Sequence, residues 1–392
     1  MSRTGESEAT LREEREQLRA SIARFLEREV VPNVDLWRRQ GCVSREAWRK
    51  AGEMGLLGIS LPERYGGLGG DFRHEAVLIE ELGRIGFLEF NIPLHNAIVA
   101  PYILHYGTEG QRNRWLPQLA GGERIAAIAM TEPGTGSDLR AIKTAARRDG
   151  DGYRLSGQKT FISNGQLATL IVVAAKTADA QGNGNGNGNG HGKVSLFAVE
   201  TEKAAGFSRG RNLEKIGAKA QDTSELFFED VWLPADALIG EAEGRGFAQM
   251  VQQLPQERLL IAVQAVASME AAIACTLAYA RQRTAFGQPI LDFQNSRFRM
   301  AEAKTVAAVA RTYVDHCIGR LVAGELDGDT AAMAKLWTTE QQGEVLDACL
   351  QLFGGYGYML EYPIAQMWAD ARVQRIYGGT SEIMKEIISR NL

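Results

Sequence analysis

The chain has 392 residues, 45% of them hydrophobic, and a formal net charge of −4. That composition can bury two or three packed domains and excludes a disordered chain, while the slight acidity gives no global electrostatic case for nucleic acid or an anionic membrane. Cys42, Cys275, Cys317 and Cys349 lie far apart with no C-x-x-C pair, and the five histidines show no metal-ligand spacing, so reduced thiols and no metal are expected.

The amino-terminal stretch MSRTGESEATLREEREQLRASIARFLEREVV is charged throughout, without the apolar core of a signal peptide, and no later segment is a clean transmembrane span. A soluble cytoplasmic protein, partnered with neither membrane nor nucleic acid, is the expectation. In residues 1–125 the periodicity is helical: Leu18, Ile22, Phe25 and Leu26 recur at three- and four-residue steps, and HEAVLIEELGRIG repeats the pattern. Residues 126–238 change to short runs rich in β-branched and aromatic residues, such as YRLSGQKTFIS, LATLIVVAA, KVSLFAVE and SELFFEDVWLP, which predict a β domain. Between two of its strands, QGNGNGNGNGHG (181–192) has too many glycines to hold one hairpin and reads as a mobile surface loop in which His191 has no companion ligands. In residues 239–392, long Ala-, Leu-, Val- and Met-rich segments return, with breaks near AFGQP, GELDGD and FGGYGY, and predict an antiparallel helix bundle.

Two glycine-rich stretches invite a phosphate-loop reading. RYGGLGGDF (64–72) places Phe72 where the third glycine of G-x-G-x-x-G belongs, and no strand precedes it, so it fails as a dinucleotide loop. TEPGTGSDL (131–139) also lacks that glycine, yet it sets the backbone amides of Gly134 and Gly136 beside the hydroxyls of Thr131, Thr135 and Ser137. Such a turn can serve a phosphate or a flavin edge, or be an ordinary loop. In QKTFISNG, strand alternation puts Phe161 and Ser163 on one face, where a planar ring could stack, although a core aromatic beside a surface serine is the plainer alternative. Arg283, Phe286 and Gln294 in RQRTAFGQPILDFQ, and Gln351, Gly354 and Gly355 in LQLFGGYGY, could equally be a helix end and its cap.

Together, AMTEPGTGSD, KTFISNG, RTAFGQ, LQLFGGYGY and RIYGGTSEI resemble the acyl-CoA dehydrogenase family in order and spacing over nearly the whole chain. The resemblance implies a multi-domain α+β fold: a helical amino-terminal domain, a middle β barrel and a carboxy-terminal four-helix bundle. It further implies a homotetramer, with FAD bound between the β domain, the bundle and a neighbouring subunit, and reoxidation by an electron-transfer flavoprotein. By that carry-over Ile128, Ala129, Met130, Thr131, Glu132, Pro133, Gly134, Thr135, Gly136 and Ser137, with Phe161, Ile162 and Ser163, hold the flavin, and Ser137 also lies near the substrate. Arg283, Phe286, Gln294, the run Gln351, Leu352, Phe353, Gly354 and Gly355, and Thr380, Ser381 and Glu382 grip the pyrophosphate and adenosine end.

The implied reaction removes a weakly acidic α proton from an acyl thioester while the β hydride passes to the flavin, so a carboxylate must face the α carbon. Many members carry that glutamate in a Y-E-G-T segment, but here the segment reads Tyr377, Gly378, Gly379, Thr380. In the long-chain and isovaleryl branches the base comes from a bundle helix, in a stretch like the present Pro255, Gln256, Glu257, Arg258. Helical spacing supports Glu257 independently, because Met250, Leu254, Glu257 and Ile261 share one face and the carboxylate stands in an apolar stripe. A surface glutamate paired with Arg258 is the alternative. Pro255, Gln256, Arg258, Tyr377, Gly378 and Gly379 are the expected substrate neighbours, with the Gly378 N–H available to the thioester carbonyl. LPQERLLIA with IYGGTSEIMKEII is most similar to the long-chain branch, except that Ala248 and Gln249 stand where those members carry aromatics. A dehydrogenase of a carrier-protein thioester and a flavin-dependent monooxygenase are the competing readings.

Overall fold

The computed structural model describes residues 8–177 and 193–392; the Asn-Gly run and His191 lie outside them. The chain opens with helices α1 (Glu8–Phe25), α2 (Val34–Gln40), α3 (Arg45–Glu53) and α4 (Phe72–Arg84). Then come α5 (Ile92–Leu94), a π-helical turn over His95–Val99, α6 (Ala100–Tyr106) and α7 (Glu109–Ala120). Reciprocal capping boxes start α4, where Asp71 pairs with His74, and α7, where Thr108 pairs with Gln111. The glycines of RYGGLGGDF serve the turn into α4: Gly66 has φ +84°, and a Cβ at Gly67 would stand 2.1 Å from the Leu61 carbonyl oxygen.

Seven strands form one sheet: β1 (Ala126–Ala129), β2 (Ala145–Asp149), β3 (Gly152–Ser163), β4 (Leu170–Thr177), β5 (Lys193–Glu200), β6 (Phe207–Asn212) and β7 (Thr223–Pro234). Their order is β1-β4-β2-β3-β7-β6, with β5 on β4, and β1 runs parallel to β4. The expected barrel takes the form of a curled sheet in which, among the described residues, β6 pairs only with β7. Ala129, Leu155, Ile162, Val173, Phe197 and Phe228 fill its inner side. His95 ties the helical segment to the sheet, accepting from the Ala126 amide through Nδ1 and meeting the Leu119 carbonyl through Nε2. Burial brings its pKa down to about 4, so the ring is neutral and suited to that bridging.

The carboxy-terminal part holds α8 (Gly246–Gln282), a hairpin of β8 (Thr284–Ala285) and β9 (Gln288–Pro289), α9 (Gln294–Val322), α10 (Gly328–Leu352), α11 (Pro363–Ala371) and α12 (Ser381–Ser389). Three long helices therefore make the bundle and two short ones close it. By length and composition α8 could cross a membrane, but 83% of its most apolar window is buried inside the chain. A helix apolar on all sides needs cover on all sides, and α4, α9, α10 and α11 surround it. Cys275, Cys317 and Cys349 lie in the bundle and Cys42 after α2, all free thiols; among the described residues no cluster could hold a metal.

Candidate active site

Glu257 lies in the amino-terminal half of α8 and is 7% exposed. Met250 and Ile261 on its face are buried, as the spacing predicts, and Leu254 is half-buried. The Tyr102 hydroxyl on α6 donates to Glu257 Oε1 at 2.8 Å. Burial raises the Glu257 pKa from an ordinary 4.5 to about 7, although the Tyr102 hydrogen bond and the Arg258 charge pull the other way. The carboxyl is therefore held near the point where it can both take and release a proton at neutral pH.

Arg258 is also buried, at 6% exposure, and turns away from the surface pairing that sequence left open. Its Nε makes a long 3.5 Å contact with the Gly378 carbonyl. From α10, the fully buried Lys335 Nζ donates to the Gly379 carbonyl at 2.7 Å. Two cations thus hold the carbonyls of the Gly378–Gly379 turn, whose φ values of +66° and +98° favour glycine. Arg258 thus braces the turn that carries Gly378, itself an expected substrate neighbour. Gln256 is likewise committed, donating to the Ala97 carbonyl at 2.7 Å and tying α8 to the π-helical turn. Tyr377 remains at the site and donates to Gln264 Oε1 at 3.3 Å.

On the sheet side, the loop after β1 is closed by two backbone hydrogen bonds between Glu132 and Thr135. Glu132 does not face outward: its buried carboxylate accepts from the Lys143 and Thr144 amides and from Lys159 Nζ. Burial alone would raise its pKa, but these hydrogen bonds hold it low. Lys159, brought by burial to about 8, is its internal counter-ion. Ala129 and Ile162 are core residues too. For Ala129, Glu132 and Ile162 only backbone groups are left for a ligand, because their side chains fill or brace the sheet. Pro133, Gly134, Gly136 and Ser137 are exposed, and nothing stands within 4 Å of a Cβ built on either glycine.

A bulge between Lys159 and Ile162 interrupts the alternation expected in β3. Phe161 takes φ +59° and is left 67% exposed, while Gln221 Nε2 donates to Ser163 Oγ at 2.8 Å. An aromatic held outward by a strained backbone, beside an open glycine turn and a hydroxyl–amide pair, fits the flat ring system of a flavin.

Arg283, Phe286 and the run 351–355 gather at the far end of the bundle, whereas Thr380, Ser381 and Glu382 follow directly on the Gly378–Gly379 turn. Arg283 lies over the Tyr356 ring, 5.7 Å from its centroid, beside the exposed Gln351, Gly354 and Gly355, and Phe286 is 97% exposed. Phe353 is buried and stacks on Tyr279 at 4.2 Å, so its ring belongs to the core. Thr380 caps α12 by accepting from the Ile383 amide, and Ser381 Oγ donates to Glu340. Those two hydroxyls therefore build the helix start. Glu257 and Arg283 lie on one helix, roughly 40 Å apart by helical rise.

Tyr102 and Lys335 escaped the sequence reading. Tyr102 is 155 residues from Glu257 and no local pattern marks it. Lys335 stands alone in the apolar run AAMAKLW, a signal that could have found it.

Comparison with known proteins agrees with this geometry. The chain matches the family models "Acyl-CoA dehydrogenase, N-terminal domain" at residues 12–123, "middle domain" at 127–231 and "C-terminal domain" at 244–392. It is 48% identical to the mitochondrial long-chain specific acyl-CoA dehydrogenase of Mus musculus, over 97% of this chain and 86% of that protein. An acyl-CoA dehydrogenase of Bacillus subtilis is 35% identical over 97% of this chain and 98% of its own. The crystal structure of an acyl-CoA dehydrogenase from Geobacillus kaustophilus superimposes with a TM-score of 0.91 at 46% identity, covering 97% of this chain and 98% of that one. With models matching in all three segments and a surface that fits a flavin, the chain belongs to the acyl-CoA dehydrogenase family, as an FAD-dependent oxidoreductase.

Proposed function

We propose that this chain oxidises a saturated acyl-CoA of medium to long or branched chain to its trans-2-enoyl product, with Glu257 as the base that removes the α proton. The observation that carries this is the buried Glu257 carboxyl, raised to about 7, on the stretch of α8 whose Arg258 and Ile261 meet a turn in which residue 378 has no side chain. A carboxylate at its ordinary pKa would be a weak base for so weak an acid; burial strengthens it, and the Tyr102 hydroxyl orients it. The Gly378 N–H is proposed to hold the thioester carbonyl, whose developing negative charge acidifies the α carbon. Bound FAD supplies the acceptor for the β hydride. Ser163 and Phe161 would hold its ring, with the exposed Pro133, Gly134, Gly136 and Ser137 at its edge. Leu94, Ile98 and Leu260 line a cavity between the α5–α6 segment and α8, and that cavity is proposed to take the acyl chain. Leu260 lies three residues past Glu257 on α8, on the adjoining turn.

The homotetramer is proposed on the same grounds. Arg283, about 40 Å from Glu257 along α8, is too distant to grip a cofactor whose ring lies at its own chain's base, so a second copy must supply that end. Phe286, Tyr358 and Leu360 are 97%, 84% and 72% exposed there, an apolar patch suited to burial by such a copy. Reoxidation is proposed to pass to an electron-transfer flavoprotein. Anaerobic addition of acyl-CoAs of graded length and branching tests the activity: flavin bleaching with enoyl product is expected, and a flavin that stays oxidised with every acyl-CoA defeats the proposal.

A further inference from the structure

The cavity beyond Glu257 is apolar on one side only. Asn91, Gln264, Ser268, Gln342 and Gln374 also line it, all under 9% exposed. Among the described residues, nine buried side-chain nitrogen and oxygen atoms have no hydrogen-bond partner, and four of them lie on this one lining: Asn91 Nδ2, Gln342 Nε2 and Oε1, and Gln374 Oε1. A buried amide left without a partner is costly, so a clustered set of donors and acceptors implies a polar occupant. The cavity, about 90 Å³, has room for several water-sized groups.

We propose that this chain's preferred acyl substrate carries a neutral oxygen function, a hydroxyl or keto group, far along its chain, which the Asn91, Gln342 and Gln374 amides bind inside the acyl cavity. The inference rests on the dehydrogenase reading above and adds the substrate class to it. Besides Ser163 and Gln221 on the sheet side, next to which the flavin ring is proposed to lie, four helical segments contribute: Asn91 precedes α5, Gln264 and Ser268 follow Leu260 on one face of α8, Gln342 is on α10 and Gln374 follows α11. Free donors and free acceptors are both present, which suits a hydroxyl that gives and receives, or a carbonyl that receives. A terminal carboxylate does not suit: no Lys or Arg lines the cavity and Asp370 does, so a second anion would be buried without a counter-charge. The helix sets the depth. Gln264 is seven residues beyond Glu257, about 10 Å of rise, the reach of an extended decanoyl chain from its α carbon.

The test compares decanoyl-CoA, its ω-hydroxy derivative and its ω-carboxy derivative on the FAD-loaded enzyme. Anaerobic flavin bleaching gives the rates, and calorimetric titration of Glu257→Gln gives dissociation constants without turnover. The ω-hydroxy compound is expected to bind about tenfold more tightly than decanoyl-CoA, and the ω-carboxy compound more weakly than either. Gln342→Leu should reverse the first preference, and the wild-type comparison decides the matter even if that variant does not fold. Equal or tighter binding of plain decanoyl-CoA means that the amides hold water, and overturns the inference while the dehydrogenase reading stands. Tightest binding of the carboxylate overturns the neutral class. If none of the three binds or bleaches the flavin, the dehydrogenase reading falls and takes this inference with it.

Discussion

Tyr102 donates its hydroxyl hydrogen bond to Glu257 from a helix 155 residues earlier in the chain, and this bond tempers the basicity that burial gives the carboxylate. It favours the charged form, against burial, which favours the neutral one. Because the base works only when ionised, flavin reduction should rise with pH through about 7 and level off above. Tyr102→Phe removes the favourable contact, so the midpoint should move to higher pH by about one unit, equivalent to roughly 1.4 kcal/mol. Stopped-flow bleaching across pH 5.5–9 measures this, and an unmoved midpoint would show that Tyr102 has no hold on the base.

Glu257→Gln keeps the shape and an acceptor for Tyr102 but cannot take a proton. Flavin and acyl-CoA should still bind, while reduction slows by about 10²–10⁴-fold, roughly 3–5 kcal/mol of barrier. Parent-like bleaching would place the base elsewhere.

The same variant should be more stable than the parent at high pH. A carboxyl whose folded pKa is raised from 4.5 to about 7 favours folding least when ionised: the penalty is absent below 4.5, grows between the two values and is complete above about 7. Gln carries no such penalty. The stability gain should therefore reach at most on the order of 3 kcal/mol above pH 7 and vanish near pH 4. Denaturant melts at the two pH values check it, and an equal gain at both would mean that packing, not charge, is responsible.

Arg283→Ala removes a cation from a surface about 40 Å from Glu257. Flavin affinity should fall by about 10–100-fold if that cation reaches the cofactor of another copy. The ordinary pH dependence of any flavin-loaded fraction should be retained, since the base is remote. Light scattering of the parent should give a tetramer; a flavin-loaded monomer would rule out the shared site.

The helix–sheet–helix order was legible because each segment keeps one hydrophobic period for long stretches, and Glu257 stood out because the carboxylate that relatives carry at position 378 is missing while one stands in the apolar stripe at 257. What the sequence concealed depends on long-range packing. The Phe161 bulge depends on how β3 meets β7, and the inward turn of Glu132 depends on Lys159 reaching it from β3, 27 residues on in the chain. Sequence places Arg258 beside Glu257 but hides that adjacent helical residues point about 100° apart, so that its guanidinium reaches the Gly378 turn. The amides of the proposed acyl cavity, Asn91, Gln221, Gln264, Gln342 and Gln374, come from five separate segments, so no local pattern could gather them.

Moving the base to the other side of the substrate is the strictest test of the site. Because Gly378 stands where other members carry the glutamate, Gly378→Glu would be the simplest way to restore a carboxylate lost in Glu257→Gln. The geometry opposes that simple exchange: a Cβ at Gly378 would stand 2.4 Å from Ile261 Cδ1, and the backbone there has φ +66°. The collision is with the tip of one side chain, and Ile261→Val deletes that methyl at a cost of about 0.5–1.5 kcal/mol. The left-handed backbone adds about 1–2 kcal/mol for a residue with a Cβ. The double variant Glu257→Gln, Gly378→Glu should thus remain nearly inactive or lose flavin, while the triple variant with Ile261→Val should recover a measurable part of the reduction rate. Stopped-flow reduction normalised to flavin content separates the two. Recovery in the double variant without the Ile261 change would mean that the turn yields more readily than the Arg258 and Lys335 contacts on its carbonyls imply.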